Sequence, residues 1–442
     1  MPYDLILKNG TLVTHEKTFK ADIALKDGKI ARIGDCGAAS KAVYDAEGLF
    51  ILPGIIDAHT HFRDPGLTQK EDFETGSAAA AMGGITMIAD MPNTIPPTST
   101  ARRFTDKVKI AKEKSFIDFA LFALLTNENL NEMDEFKNAH PLGFKIFLGT
   151  STGDIAAPDP ETIIRQLEKS KKFGMRTGFH AETSEINEKS TNICKEKNPV
   201  PSGLSLSQAR PVMSEALAIQ NAISYAQSAN AKIHIHHVTS IEGLRLIEKA
   251  KQDGLDITAE ICPHYLLLDA DSGAHKVYPP IRGGENRKLL WEALQNKKFD
   301  MIASDHAPHT AAEKSLPLWD APAGLCGVET LVPLMLTEVN RGNLSLNDFV
   351  LLASYNPAKI WGIAGKKGSL LAGWDADFTV VDMNKKGKID ADKLHSKSKT
   401  SPYDGMEVQG MPVATIVRGE FIMKDGKLTG KKGYGILVSP EP

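Results

Sequence analysis

The chain has 442 residues, 42% hydrophobic and 24% charged, and a formal net charge of −3 from 52 basic and 55 acidic side chains. That balance offers no basic surplus for nucleic acid or an anionic membrane, and no run approaches the roughly 18 apolar residues of a bilayer span. The opening MPYDLILKNG lacks the pattern of a secretory signal, and Cys36, Cys194, Cys262 and Cys326 form no CxxC pair, which argues against a disulfide framework or cysteine-ligated zinc and predicts a reduced, cytoplasmic protein.

The first 50 residues alternate short β-branched runs with Asn9-Gly10 and Asp27-Gly28, dipeptides that supply the positive φ of hairpin turns. From about 53 to 365, apolar strand patterns at 54–61, 85–91, 116–124, 143–149, 176–181, 232–238, 256–262 and 299–305 alternate with helical patterns such as 214–228 and 241–253. Eight such alternations predict a (β/α)8 barrel. A doubly wound sheet competes less well, because no Gly-rich phosphate fingerprint follows the first strand. Beyond 366, GSLLAGWDADFTVVD and the strands around Asp425-Gly426 repeat the texture of the N-terminus. The two ends, 1–52 and 366–442, are expected to build one small β-sandwich beside a catalytic barrel of 53–365.

Barrels carry their chemistry at the C-terminal ends of the strands, and the unusual residues collect there. Strand one ends in Asp57-Ala-His59-Thr-His61-Phe-Arg63. Alternate residues face one side, so His59 and His61 can present two imidazoles to one ion, although a lone pair of this kind more often describes partly exposed histidines. Strand four carries Lys145 inside GFKIFL, where an unpaired ammonium is costly. It is paired with a carboxylate, turned to the rim, or converted by CO₂ into a carbamate able to bridge two metal ions. Strand five ends in His180-Ala-Glu182 and strand six in His234-Ile-His236-His237. Period two places His234 and His236 on one side and His237 on the other, and does not choose among them; at least one is expected to pack or to orient a ligand. Strand eight ends in Asp305-His-Ala-Pro-His309, where an acid closing an apolar strand caps the next helix or meets a metal. Four strand ends carrying His or Asp, with a strand lysine, predict a metal site. Two zinc ions would acidify a bridging water and polarise a carbonyl, and Asp305 suits the accompanying proton transfers.

This constellation resembles the binuclear members of the amidohydrolase superfamily over nearly the whole chain. The resemblance implies His59, His61, carboxylated Lys145, His180, His237 and Asp305 as ligands of two Zn²⁺ per subunit, bridged by the modified lysine, with a zinc-activated bridging hydroxide as nucleophile and Asp305 as general acid/base. His237 is preferred to His236 because the family's strand-six ligand precedes a Val-[ST]-[ST] run, here Val238-Thr239-Ser240. Within the superfamily, HFRDPG, MPNT, DHAPH and APAGLCG are similar to dihydroorotases, and FKIFLGTSTGD to their lysine-containing branch. That likeness implies Arg63, Asn93 and His309 as donors to a substrate carboxylate, with Thr150 to Thr152 on a loop able to close over substrate. It also implies a small-molecule substrate, N-carbamoyl-L-aspartate cyclising reversibly to L-dihydroorotate in pyrimidine biosynthesis, and a homodimer or homotetramer.

Tyr278-Pro-Pro-Ile-Arg282 departs from the pattern, in which Asn often precedes the prolines. An allantoinase or dihydropyrimidinase-like cyclic amidase would share ligands and fold while typically lacking the Arg63, Asn93 and His309 combination, and Cys262-Pro-His264-Tyr265 resembles allantoinase strings. A non-catalytic scaffold homologue would have lost ligand positions, and here each is filled.

Overall fold

A computed structural model describes residues 2–37, 39–149 and 155–440. Its central sheet has eight parallel strands, Ile55–Thr60, Ile85–Asp90, Asp118–Leu124, Gly143–Phe147, Thr177–His180, Ile233–Ile235, Ile257–Ile261 and Met301–Ile302, neighbouring one another in chain order. Each lies inside one of the eight predicted segments. A parallel bridge between Thr60 and His306 brings the extension of the eighth strand back to the first and rounds the sheet into a barrel. Parallel strands buried on both faces read as continuous apolar runs, and DFALFAL of the third strand is buried throughout. The covering helices keep a single apolar stripe. Ile241–Gln252 starts at Ser240, whose hydroxyl accepts from the Gly243 amide, and buries Gly243, Leu244, Ile247 and Ala250.

The two chain ends form two further sheets. One orders Lys29–Gly34, Asp22–Lys26, Tyr3–Lys8 and Ser40–Asp45. The other orders Lys427–Leu428, Glu420–Lys424, Glu407–Val417, Phe378–Lys388, Phe50–Pro53, Thr11–Val13 and Thr18–Lys20, so strands of both ends share it. Leu5, Leu7, Ile23 and Leu25 of the first pack with Leu12, Ile51, Phe378, Val380 and Ile416 of the second in one buried cluster, which is the expected sandwich. Lys367 ties this layer to the barrel: its Nζ lies 2.6 Å from Asp118, at the start of the third strand, and 2.6 Å from Asp377.

Asp27-Gly28 and Asp425-Gly426 turn as expected, with φ of 51° and 73° and of 52° and 73°. Asn9-Gly10 does not make the expected hairpin. Only Asn9 has positive φ, 62°, and the strands on either side enter different sheets. The physical reason is packing at the crossing: a Cβ on Gly10 would stand 2.4 Å from Ile51 Cδ1. Among the described residues no helix is long and apolar enough to cross a membrane.

Candidate metal centre and active site

Three of the residues singled out by sequence turn the chain with left-handed backbone: Arg63 at φ 63°, His237 at 38° and Asp305 at 46°. Such geometry at a non-glycine residue costs about 1–3 kcal/mol and persists only where its surroundings enforce it. Each stands just beyond the end of a barrel strand. At His237 the turn breaks the alternation that left strand six ambiguous, and its ring faces the same cavity as His59, His61, His180 and Asp305. His234 and His236 point elsewhere, to Glu260.

The donor atoms converge in two groups. His59 Nε2 and His61 Nε2 lie 3.4 and 3.2 Å from Asp305 Oδ1. His180 Nδ1 lies 2.9 Å from His237 Nε2. Lys145, fully buried, has no hydrogen-bond partner for its Nζ, and its charge disfavours protonation of His59, His61, His180 and His237. Behind the rings stand carboxylates and an amide. Glu260 Oε1 accepts from His59 Nδ1 and from the His237 amide at 3.1 Å, while its Oε2 accepts from His234 Nε2 at 3.1 Å and His236 Nδ1 at 3.0 Å. Asn93 Oδ1 accepts from His61 Nδ1 at 2.7 Å, and Glu182 Oε2 from His180 Nε2 at 3.0 Å. On His59, His61 and His180 the support consumes one ring nitrogen and leaves the other facing a neighbouring donor of the cavity.

Electrostatics make the set ready for a cation. Burial pushes His59 down to about 3, against the pull of Asp305, and holds His61, His180 and His237 below the ordinary imidazole value, so the rings are neutral donors. Burial lowers Lys145 to about 7 against Glu260 and Asp305, so much of the amine is unprotonated at neutral pH, the form that adds CO₂. Glu260 is wholly buried, and among the described residues no lysine or arginine pairs with it. A buried carboxylate held only by neutral donors is costly unless a cation stands near. His59, His61 and Asp305 also bring one ligand atom each within 4.8 Å of one another. Neutral imidazoles, an aspartate and an orphaned amine therefore fit a divalent metal site.

The residues expected to grip a carboxylate behave differently from one another. Arg63 is 2% exposed and lines the cavity. Its Nε donates to Pro308 O at 3.3 Å, its Nη1 has no partner, and among the described residues no carboxylate pairs with it. Burial lowers it to about 10, with Asp305 opposing. Asn93 also lines the cavity while bracing His61. His309 lies behind Arg63, its Nε2 2.9 Å from Ala323 O and its Nδ1 3.1 Å from Lys70 Nζ. Thr150 to Thr152 lie outside the described residues. The cavity measures about 30 Å³. A larger one, about 420 Å³, opens at the opposite end of the barrel around Arg176, Asp256 and Trp361, away from these residues.

Glu260, and the Arg210 that braces Glu182, were not singled out by sequence. A carboxylate inside ITAEI is the same kind of signal as Lys145 inside GFKIF, a charge in a buried strand, and could have been noticed on that ground. Arg210 closes a helix end, where an arginine is unremarkable in sequence.

A model of the Amidohydrolase family matches residues 50–422. The chain is 37% identical to a dihydroorotase of Methanosarcina acetivorans, over 98% of this chain and 94% of that protein. It is 35% identical to an allantoinase of Deinococcus radiodurans, over 100% and 99%. Among solved structures, the L-hydantoinase (dihydropyrimidinase) from Arthrobacter aurescens superposes with a TM-score of 0.95 at 35% identity, covering 99% of this chain and 100% of that one.

Proposed function

The chain belongs to the amidohydrolase family, and from that premise we propose that it is a dihydroorotase, interconverting L-dihydroorotate and N-carbamoyl-L-aspartate in pyrimidine biosynthesis. One observation carries this reading: Arg63 is buried beside His61 and Asp305 with an unpaired Nη1 and no carboxylate partner among the described residues. A guanidinium kept in that state is the complement of a carboxylate on the ligand. Dihydroorotate has a free carboxylate; hydantoins and allantoin lack one.

In this reading His59, His61, His180, His237, Asp305 and carboxylated Lys145 would hold two zinc ions, a donor set suited to zinc. When bound, such ions lower the pKa of water toward neutrality and polarise an amide carbonyl. Glu260, Asn93 and Glu182 hold His59, His61 and His180 from behind, so the rings need not reorganise. Arg63 orients the substrate by its carboxylate and fixes the ring carbonyl relative to Asp305. Asp305 takes the proton of the attacking water on a carboxylate oxygen and returns it to the ring nitrogen as the C–N bond breaks; ring closure runs the same transfers in reverse. The reading divides the chain into a catalytic barrel of 53–365 and a composite sandwich of 1–52 with 366–442. It places the protein in the cytoplasm as a homodimer or homotetramer.

Spectrophotometric assays of ring opening on zinc-loaded protein, with L-dihydroorotate beside allantoin and dihydrouracil, test the reading. Preference for dihydroorotate is expected. A second reading, as an amidase of uncharged cyclic substrates such as allantoin, is favoured by His309, whose two ring nitrogens are engaged by Ala323 O and Lys70. Preference for allantoin or dihydrouracil would select it.

A further inference from the structure

Tyr278 is the residue at which the sequence departs from the dihydroorotase pattern, and the proposed chemistry does not use its ring. The ring nevertheless has a defined place. Tyr278 lines the cavity, and the guanidinium carbon of Arg210 lies 3.6 Å from the centre of its ring. Arg210 is 5% exposed and holds Glu182 with both sides of its fork, Nε to Oε1 at 2.9 Å and Nη2 to Oε2 at 2.5 Å. Glu182, wholly buried, accepts in turn from His180 Nε2 at 3.0 Å, and the opposite nitrogen of His180 faces His237. The loop that carries Tyr278 also holds Arg210 by its backbone: Arg282 Nη1 donates to Arg210 O at 2.5 Å and to Ser207 O at 3.2 Å. The Tyr278-Pro-Pro-Ile-Arg282 run thus grips one arginine by its guanidinium and by its carbonyl.

We propose that Tyr278, Arg210 and Glu182 are positioning residues for His180, a relay through which the pocket wall sets the orientation of one imidazole of the metal centre. This rests on the reading of His180 as a metal ligand. Each joint in the relay is directional. A bidentate guanidinium–carboxylate pair fixes the plane of both groups, and a ring stacked on the guanidinium face keeps water from the pair. The relay also begins where a substrate must press. Tyr278 forms part of the wall of a cavity of about 30 Å³, smaller than a six-membered ring, so a seated cyclic amide would press on that wall. Movement there reaches His180 through two hydrogen-bonded joints, and linkage requires the effect to run both ways.

Protein loaded with cobalt(II) reports ligand geometry through its visible absorption, independently of turnover. Tyr278→Leu is expected to shift that absorption and to release cobalt to a competing chelator about 10- to 100-fold more readily than wild type, the usual cost of losing a group that orients a metal-binding histidine. Tyr278→Phe keeps a ring over the guanidinium and is expected to keep the wild-type spectrum and retention. Arg210→Met should be at least as perturbed as Tyr278→Leu; if circular dichroism shows that it does not fold, the two Tyr278 variants decide alone. Leu and Phe variants that both match wild type overturn the relay. A Phe variant as perturbed as the Leu variant overturns it too, because the ring would then not be the acting group. Wild-type protein that takes up no cobalt overturns the reading of the metal centre itself, a result distinct from either.

Discussion

Glu260 accepts the Nδ1–H of His59 and leaves His59 Nε2 facing Asp305 Oδ1, 3.4 Å away. One wholly buried carboxylate on the seventh barrel strand thereby fixes the tautomer of a ring on the first. The same group holds His234, His236 and the backbone of His237, so the ends of the first and sixth strands share one anchor.

Replacing that anchor by its neutral isostere makes the first prediction. Glu260→Gln presents an amide whose N–H₂ opposes at least one imidazole N–H, while the strand keeps its packing. Zinc affinity, measured by chelator competition, is expected to fall about 10- to 100-fold. Unchanged affinity would show that Glu260 does not orient His59.

Asp305→Asn keeps the shape of the side chain and removes its basicity. Turnover of L-dihydroorotate is expected to fall roughly 10²- to 10⁴-fold with the far-ultraviolet circular dichroism unchanged. Near-normal turnover would remove Asp305 from the proton transfers.

Lys145→Ala is expected to lose metal, since the proposed centre takes its bridging oxygens from this buried, unpartnered amine. Short carboxylic acids added to the variant should restore part of the metal content and activity by supplying the oxygens of the carbamate. Full metal content and activity without such an acid would rule out the carbamate.

Arg63→Met tests the carboxylate grip. A hydrogen bond to a charged group contributes about 1.5–3 kcal/mol, so kcat/KM for dihydroorotate should fall by about 10- to 100-fold or more. Dihydrouracil, which offers no carboxylate, should lose little. Equal losses on both substrates would mean that Arg63 serves the fold.

Glu313 gives a prediction for pH. Burial opposes its charge, yet Lys70 at 2.8 Å and the capping bonds with Thr310 hold its carboxyl at about 2, below the ordinary 4.5. A depressed carboxyl contributes stability that is present above its unfolded pKa and lost as pH falls through the folded one. Wild type should therefore melt above Glu313→Gln at pH 6, and the two melting temperatures should converge between about 4.5 and about 2. A gap that stays constant across that window would show that the charge of Glu313 adds nothing.

The barrel was legible in the sequence because eight apolar strands each needed two covered faces, and DFALFAL or GFKIF can be little else. Within those strands His59, His61, Lys145 and Asp305 stood out for one reason: a charged or metal-binding group at a buried strand end has to have something to meet. The tertiary structure decided what sequence periodicity could not. His237, and not His234 or His236, turns into the cavity because its φ of 38° breaks the alternation that a regular strand would keep. Gly10 serves a crossing between sheets rather than a hairpin, because Ile51 comes from 41 residues further along the chain to occupy the space of a Cβ. Asn93 braces His61, and Arg210 reaches His180 through Glu182, by contacts between segments distant in sequence. A residue's type and spacing record the local demand of its own strand; its partner is chosen only when the barrel closes and brings other strands within hydrogen-bond distance.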